Sequence, residues 1–549
     1  MEGLVSTIKT EEMNLFKKIF IVVFLSVVFQ VVSNAQQSTI HLNKPYYVTG
    51  EVVRYAFNPP SQMANKEYKV KVKVVASNGV IVDDYFLQHE PGKSVSGYFK
   101  VPFDVASDVY NLQFYAADAN SYEEASIGSF SLGIYNDLQA SESYPIASGG
   151  QGVNGGPLTI TVDVPDFIKG GTSTNLKISV TDASGKKVKA RQSIAIFDES
   201  IHGSLGADQL IQQSEATIVA NPTNSIYAKG IVKSEGVPVQ VNVLGAYNGT
   251  IQKMEYAKTN KAGEYTLDVP DFEGDLPFQF LPYIFEEYQT IDVVPERVTT
   301  SAVQKTMAPS DEILNYLTQS RLRKKIYQAY KTTESDLKLE ELKYDVNSLK
   351  SNTTFKIKEY QSFKNMAAFF NELLNSNLEF LSQKDTTFKA RMYNPEARGL
   401  VRHFTGEPIF IIDDKITKDA TFIGTMSLDN IETAELFYIT KDIRENFGTF
   451  GSRPYVKIKT SVPDILVPAD ELDDIFTFKG IQPKEVMGVA KEGNVPNLKP
   501  NVFWDANSKA NVTFEPTMDR GNFAIQVLAV SEDGRIGMTK VNYVVGDSQ

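Results

Sequence analysis

The sequence predicts a mostly β protein, a series of β-sandwich domains with one inserted α+β domain. Apolar and polar residues alternate in short runs separated by turn residues, the period of strands with one buried face. The 26 Tyr and 33 Phe suit sheet faces and sandwich interiors. The period changes to a helical one only between residue 310 and residue 374.

At about 150 residues per domain, 549 residues suggest roughly three or four domains. The first is expected over 36–140. Tyr68, Val70, Val72 and Val74 alternate with Lys69, Lys71 and Lys73, which reads as one buried and one wet face. Asn78-Gly79 before Val80-Ile81-Val82 is a hairpin signal, because both turn residues tolerate positive φ. A flexible linker is expected over 141–156 from its Ser and Gly. Residues 157–222 repeat the pattern through Leu158, Ile160, Val162 and Val164, then Leu176, Ile178 and Val180. A third sandwich, 223–297, has Val239, Val241 and Val243 as one strand and Tyr265, Leu267 and Val269 as another, ended by Pro270, which lacks a donor.

A helical connector follows over 298–335. Ser310 is placed to cap it, with Asp311 and Glu312 in its first turn. Ile313, Leu317, Ile326 and Tyr330 mark an apolar side, and Arg321, Arg323, Lys324 and Lys325 a solvated one. Residues 336–465 read as the α+β domain, whose helix carries Phe363, Met366, Ala367, Phe370, Leu373 and Leu374 on a core-facing stripe. A last sandwich is expected over 466–549.

The net charge of −12 disfavours nucleic acid, which needs a basic footprint. The absence of cysteine excludes disulfides, thiol nucleophiles and Cys-ligated metals. Residues 1–12 read as an upstream extension. From Met13, a basic stretch with Lys17 and Lys18 leads into an apolar run from Ile19 to Val32 and the small residues Ser33-Asn34-Ala35. This predicts a signal peptide over 1–35 cleaved between Ala35 and Gln36, since the run is short against the ~20 residues that span a bilayer. No transmembrane segment is expected after cleavage. The expected location is the periplasm or outer-membrane surface of a Gram-negative bacterium.

Lys44-Pro45-Tyr46 running into Gly50-Glu51, then Val53, Tyr55 and Phe57, resembles a macroglobulin-like domain of the α2-macroglobulin superfamily, with its immunoglobulin-like sandwich. Residues 158–200 look like the next such domain, and 225–296 resemble a carboxypeptidase regulatory-like sandwich, which has no peptidase site of its own. Pro408-Ile409-Phe410-Ile411-Ile412-Asp413-Asp414 resembles the plug of TonB-dependent transporters, with Asp414 where a glycine is usual. Phe447-Gly448-Thr449-Phe450-Gly451 matches a later plug element. Asn501-Val502-Phe503-Trp504 and Asp533-Gly534 resemble the terminal sandwich of a bacterial exported family combining these pieces. The resemblance implies structural roles for Lys44, Pro45, Tyr46, Gly50, Glu51, Pro408, Asp413, Asp414, Gly448, Gly451, Trp504, Asp533 and Gly534, and an interaction surface on the plug-like strands. It implies no reaction, and without cysteine the superfamily's thioester cannot form.

No catalytic residue, cofactor or metal site is expected. His41, His89, His202 and His403 have no metal-ligand spacing, and no nucleophile motif is present. Asp413, Asp414 and Asp419 lack the spacing of a calcium loop. Asp198-Glu199 fall on a strand, where neighbours face opposite ways. The chemistry left is binding. The leading expectation is a non-enzymatic scaffold that docks an outer-membrane transport or secretion complex through protein partners. A surface adhesin or protein trap is the alternative, and a hydrolase comes third.

Overall fold

The computed structural model describes residues 37–139, 144–145, 151–152, 157–201, 210–282, 291–295, 306–307, 310–331, 337–344, 346, 349–360, 362–383, 387–394, 403–448, 450–461, 475–486 and 497–547. The expected signal peptide, its cleavage bond Ala35–Gln36 and His202 lie outside them. The protein is mostly β and consists of serial sandwiches with an α+β insert. Its chain divides into two compact units. One holds Met1–Asn224, Val298–Glu340 and Ile481–Gln549, and the other Ser225–Arg297 and Glu341–Gly480.

In the first unit, the first sandwich has two five-stranded sheets. One runs Gln151–Gly152, Ile211–Glu215, Gln37–Leu42, Val52–Asn58, Val95–Lys100. The other runs Tyr46–Val48, Glu124–Tyr135, Asp108–Ala117, Tyr68–Val75, Ile81–His89. The alternation at 68–75 forms the expected hairpin with Ile81–His89, with Gly79 at φ 84°. Phe57 and Phe114 stack at 4.1 Å in its core. The lysine face, however, is not wet. Lys69 and Lys73 are only 2% and 3% exposed, because their stems lie on the sheet and their ammonium groups find partners. Glu124 takes both Lys71 and Lys73 at 2.9 Å, and Lys73 lies over the Tyr115 ring.

The segments expected as two separate sandwiches, 157–222 and 466–549, form one. Ala190–Asp198 pairs on one side with Gly521–Ser531 and on the other with Asn501–Asp505, while Thr174–Asp182 pairs with Leu158–Asp163 and Asn511–Phe514. Ile178, Ile194, Ile196, Ile525, Val527 and Tyr543 share a single core. Alternation in a sequence reveals which face of a strand is buried, but not which strand lies beside it. For the same reason Ile211–Glu215, expected in the second sandwich, pairs with Gln37–Leu42 in the first. Two parts of the expected linker, Tyr144–Pro145 and Gln151–Gly152, are short paired strands.

In the second unit, the sandwich over 226–295 packs a sheet built on Ile226–Ser234 against Lys253–Ala257, Leu244–Asn248 and Asp275–Pro282. Its last strand is Ile475–Lys479, paired with Asp275–Pro282 and expected instead in the terminal sandwich. Val239–Val243 is irregular, and the regular strand starts at Leu244. The α+β domain carries a five-stranded sheet ordered Thr353–Lys356, Ile431–Phe437, Tyr455–Thr460, Ile409–Ile412, Lys415–Thr417. Helix Met366–Leu373 covers one face. It buries Met366, Ala367, Phe369 and Phe370, whereas Leu373, expected in the core, is 49% exposed.

Candidate interaction surfaces

The Lys-Pro-Tyr and Gly-Glu positions build a buried charged clamp inside the first unit. Pro45 and Tyr46 are buried in the run that ends at Gly50. Gly50 sits at φ 89°, where a Cβ would strike the Phe103 ring. The turn brings Glu51 onto Lys44, with both nearly sealed from solvent. Glu51 Oε2 accepts the Val48 amide at 2.7 Å, and Oε1 accepts the Tyr316 hydroxyl at 2.8 Å. Burial alone would push the Glu51 carboxyl up. The Lys44 charge, its hydrogen bond and the Val48 amide outweigh that and hold it below its ordinary range.

Tyr316 belongs to helix Asp311–Ala329, capped by Ser310 as expected. Its ring meets Tyr46 edge-on at 5.3 Å. The expected solvated side of this helix is partly wrong. Arg323 is 9% exposed, its guanidinium over the Tyr316 ring, and Lys324 pairs at 2.7 Å with the buried Asp137. Tyr327 takes the inward place expected for Tyr330, which is 49% exposed.

Two of the described histidines are structural. His41 is fully buried, its Nδ1 2.8 Å from Ser193 Oγ and its ring edge-on to Trp504. Burial lowers its pKa to about 3. His89 Nδ1 bonds the Lys66 carbonyl at 2.7 Å, and burial, as the largest cause, lowers this ring to about 4. His403 is exposed and bonds the Phe404 carbonyl. Glu199 turns to Lys540, while Asp198 accepts the Ser200 amide. Among the described residues no three His, Asp or Glu gather as metal ligands. Trp504 is 4% exposed, but it lies on the outer face of the composite sandwich and is buried with Tyr46, Ile211, Ile313 and Tyr316, not in that sandwich's own core. Asp533 and Gly534 make a turn in which Gly534 has φ 85° and Asp533 takes the Arg535 guanidinium.

The plug-like positions also serve packing. Pro408 is buried at the entry to Ile409–Ile412. Asp413 adopts φ 53° in the tight turn, so it, rather than the glycine-replacing Asp414, carries the left-handed conformation. Its carboxylate accepts the Thr460 amide at 2.9 Å and the Thr460 hydroxyl at 2.7 Å. Asp414 lies against Gly249, where a Cβ would collide with it. Asp419 caps helix Ala420–Thr425 through the Thr421 and Phe422 amides. Gly448 ends helix Lys441–Phe447 at φ 49°, and a Cβ on Gly451 would lie 2.6 Å from the Ile443 carbonyl. The face expected to be free for a partner is covered within its own unit. Ile409, Ile411, Ile416, Phe437 and Tyr455 pack with Tyr247 and Met254.

Sequence reasoning missed a recurring device. Gln482 gives its side-chain oxygen to the Tyr98 amide at 3.0 Å and its nitrogen to the Tyr98 carbonyl at 2.7 Å. Asn507 treats Ser94 the same way, Gln212 treats Ser131, Gln279 treats Ile416 and Asn371 treats Phe380. A primary carboxamide presents one donor and one acceptor like a peptide group. It therefore closes a strand edge at the residue whose N–H and C=O both point outward. The partners of Gln482 and Asn507 lie hundreds of residues away in sequence, so no local pattern announces them.

No known family model and no curated protein matches the sequence. Among solved structures, the chain is similar to trypsin-activated alpha-2-macroglobulin from Escherichia coli, at 8% identity and TM-score 0.21, over 94% of this chain and 42% of that one. A Salmonella alpha-2-macroglobulin gives 8% identity and TM-score 0.21 over 93% and 39%. A tetra-tandem repeat from the extending region of a large adhesion protein gives 11% and 0.13 over 91% and 97%. This chain spans less than half the length of the two macroglobulins. Likenesses of this size define neither a shared whole-chain fold nor a shared activity.

Proposed function

We propose that this chain is a non-enzymatic exported scaffold that docks an outer-membrane transport or secretion complex in a Gram-negative bacterium. One observation carries the reading: among the described residues, the charged and imidazole groups that the sequence singles out are engaged by partners of their own fold or buried within it. Lys44 and Glu51 face each other and Tyr316, Asp413 holds Thr460, Asp419 caps a helix, and His41 and His89 are buried and kept neutral. A general base needs solvent or substrate contact and a pKa near the working pH, which these two rings lack. In this reading 223–297 is a carboxypeptidase regulatory-like sandwich and 336–465 a plug-like domain kept for its packing. The expectation of export rests on the N-terminal sequence. No helix among the described residues is long and apolar enough to cross a membrane. Chemical cross-linking on intact cells, followed by purification of the tagged chain, tests the reading. Recovery in fixed stoichiometry with an outer-membrane transport or secretion protein is expected. Recovery alone, together with turnover of peptide or glycan substrates by the purified chain, would contradict it.

A further inference from the structure

The first sandwich has two sheet edges that meet, Ile81–His89 and Val95–Lys100. Such edges expose unpaired backbone groups and accept added strands. Here the extended run 481–486 lies across both. Ile481 bridges Phe86 in parallel, and the Gln482 amide donates to the Phe86 carbonyl at 2.8 Å. The Gln482 side chain then pairs with both backbone groups of Tyr98 on the other edge, and the Tyr98 hydroxyl donates to the Pro483 carbonyl at 3.0 Å.

Glu485 is read next. Arg54, the cross-strand neighbour of Tyr98, places Nε 2.8 Å from Oε2 and Nη2 2.5 Å from Oε1, with both side chains mostly buried. A forked, charge-assisted pair of this kind selects a carboxylate by shape as well as charge. On its far side the run is backed by residues 338–340, through Val486 to Lys338 and Glu340 to Lys484 backbone bonds. Pro483 holds Gln482 extended, since a residue before proline is kept out of the helical region.

We propose that this seam is a peptide-binding site for an extended protein segment carrying Gln-Pro-x-Glu, and that residues 481–486 occupy it in cis as a built-in competitor. Tyr98 reads the glutamine and Arg54 the glutamate. A partner segment of the same chemistry enters as the internal one leaves, so the first sandwich changes from closed to bound without repacking its core.

The test uses the full chain and a fluorescent hexapeptide copied from residues 481–486, read by anisotropy. In a Gln482→Ala, Glu485→Ala variant the internal competitor is weakened, and the peptide should bind about tenfold more tightly than to the unaltered chain. Adding Arg54→Ala should remove that gain, as should a peptide with glutamine in place of its glutamate. Equal binding by the unaltered chain and the variant, or no binding by a variant whose circular dichroism shows it folded, would overturn the proposal. If the double variant fails to fold, Glu485→Gln alone should still bind the peptide more tightly than the unaltered chain. No gain there would overturn it equally.

Discussion

Lys44 and Glu51 show how a charged pair can be kept inside a sandwich. Each satisfies the other, and Tyr316 and the Val48 amide take up further hydrogen-bonding capacity. Removing one partner leaves a buried charge alone, so Lys44→Ala should cost about 3–5 kcal/mol in urea unfolding. Lys44→Met with Glu51→Leu should recover much of that, since no charge is then stranded. The histidines set a pH dependence. Their folded pKa values of about 3 and about 4 lie below the ordinary ~6.5, so only the unfolded chain takes up protons as pH falls below that value. Stability is fully present above the unfolded pKa. It should fall from pH 6.5 toward pH 4 with a slope of about 1.4 kcal/mol per pH unit for each ring. Denaturant titrations at pH 7 and pH 5 check this, and His41→Gln should remove about half of the slope. The Lys44 motif was legible in sequence because its residues lie close together. The grip of Gln482 on Tyr98 was not, because an isolated glutamine carries no positional signal.

At the scale of elements, local rules worked where the physics is local. The Ser310 cap, the hairpin at Gly79 and the strand ending before Pro270 follow from residues within a few positions. Ser310→Ala should accordingly lower stability by about 1 kcal/mol, measured as a shift in the thermal midpoint. The inward turn of Arg323 and Lys324 was not legible, because Tyr316 supplies the ring for one and Asp137, far along the chain, the charge for the other. The segment whose sequence resembles a plug does form strands, Ile409–Ile412 and Lys415–Thr417, but the cover on its apolar face was hidden, since apolar residues that bind a partner and residues that pack on Tyr247 read alike.

At the scale of the whole molecule, order along the chain is not order in space. Residues 158–198 wait for 501–546 to complete a sandwich, and the sandwich begun at Ile226 is closed by Ile475–Lys479. Fold class was readable because strand alternation survives any pairing, whereas domain boundaries depended on pairings that only the structure reveals. Trp504 reports on how the composite sandwich packs on the first sandwich and the helix. Its burial predicts blue-shifted emission that moves red when that packing is lost.

The most direct measurement of the nested arrangement is native-state hydrogen exchange of the full chain across sub-denaturing urea, followed residue by residue. If one sandwich is made from both segments, the amides of Ala190–Asp198 and Gly521–Ser531 should open together, with free energies equal within about 1 kcal/mol and the same urea dependence. Persistent protection of Gly521–Ser531 after Ala190–Asp198 has exchanged would show two independent domains and contradict the arrangement.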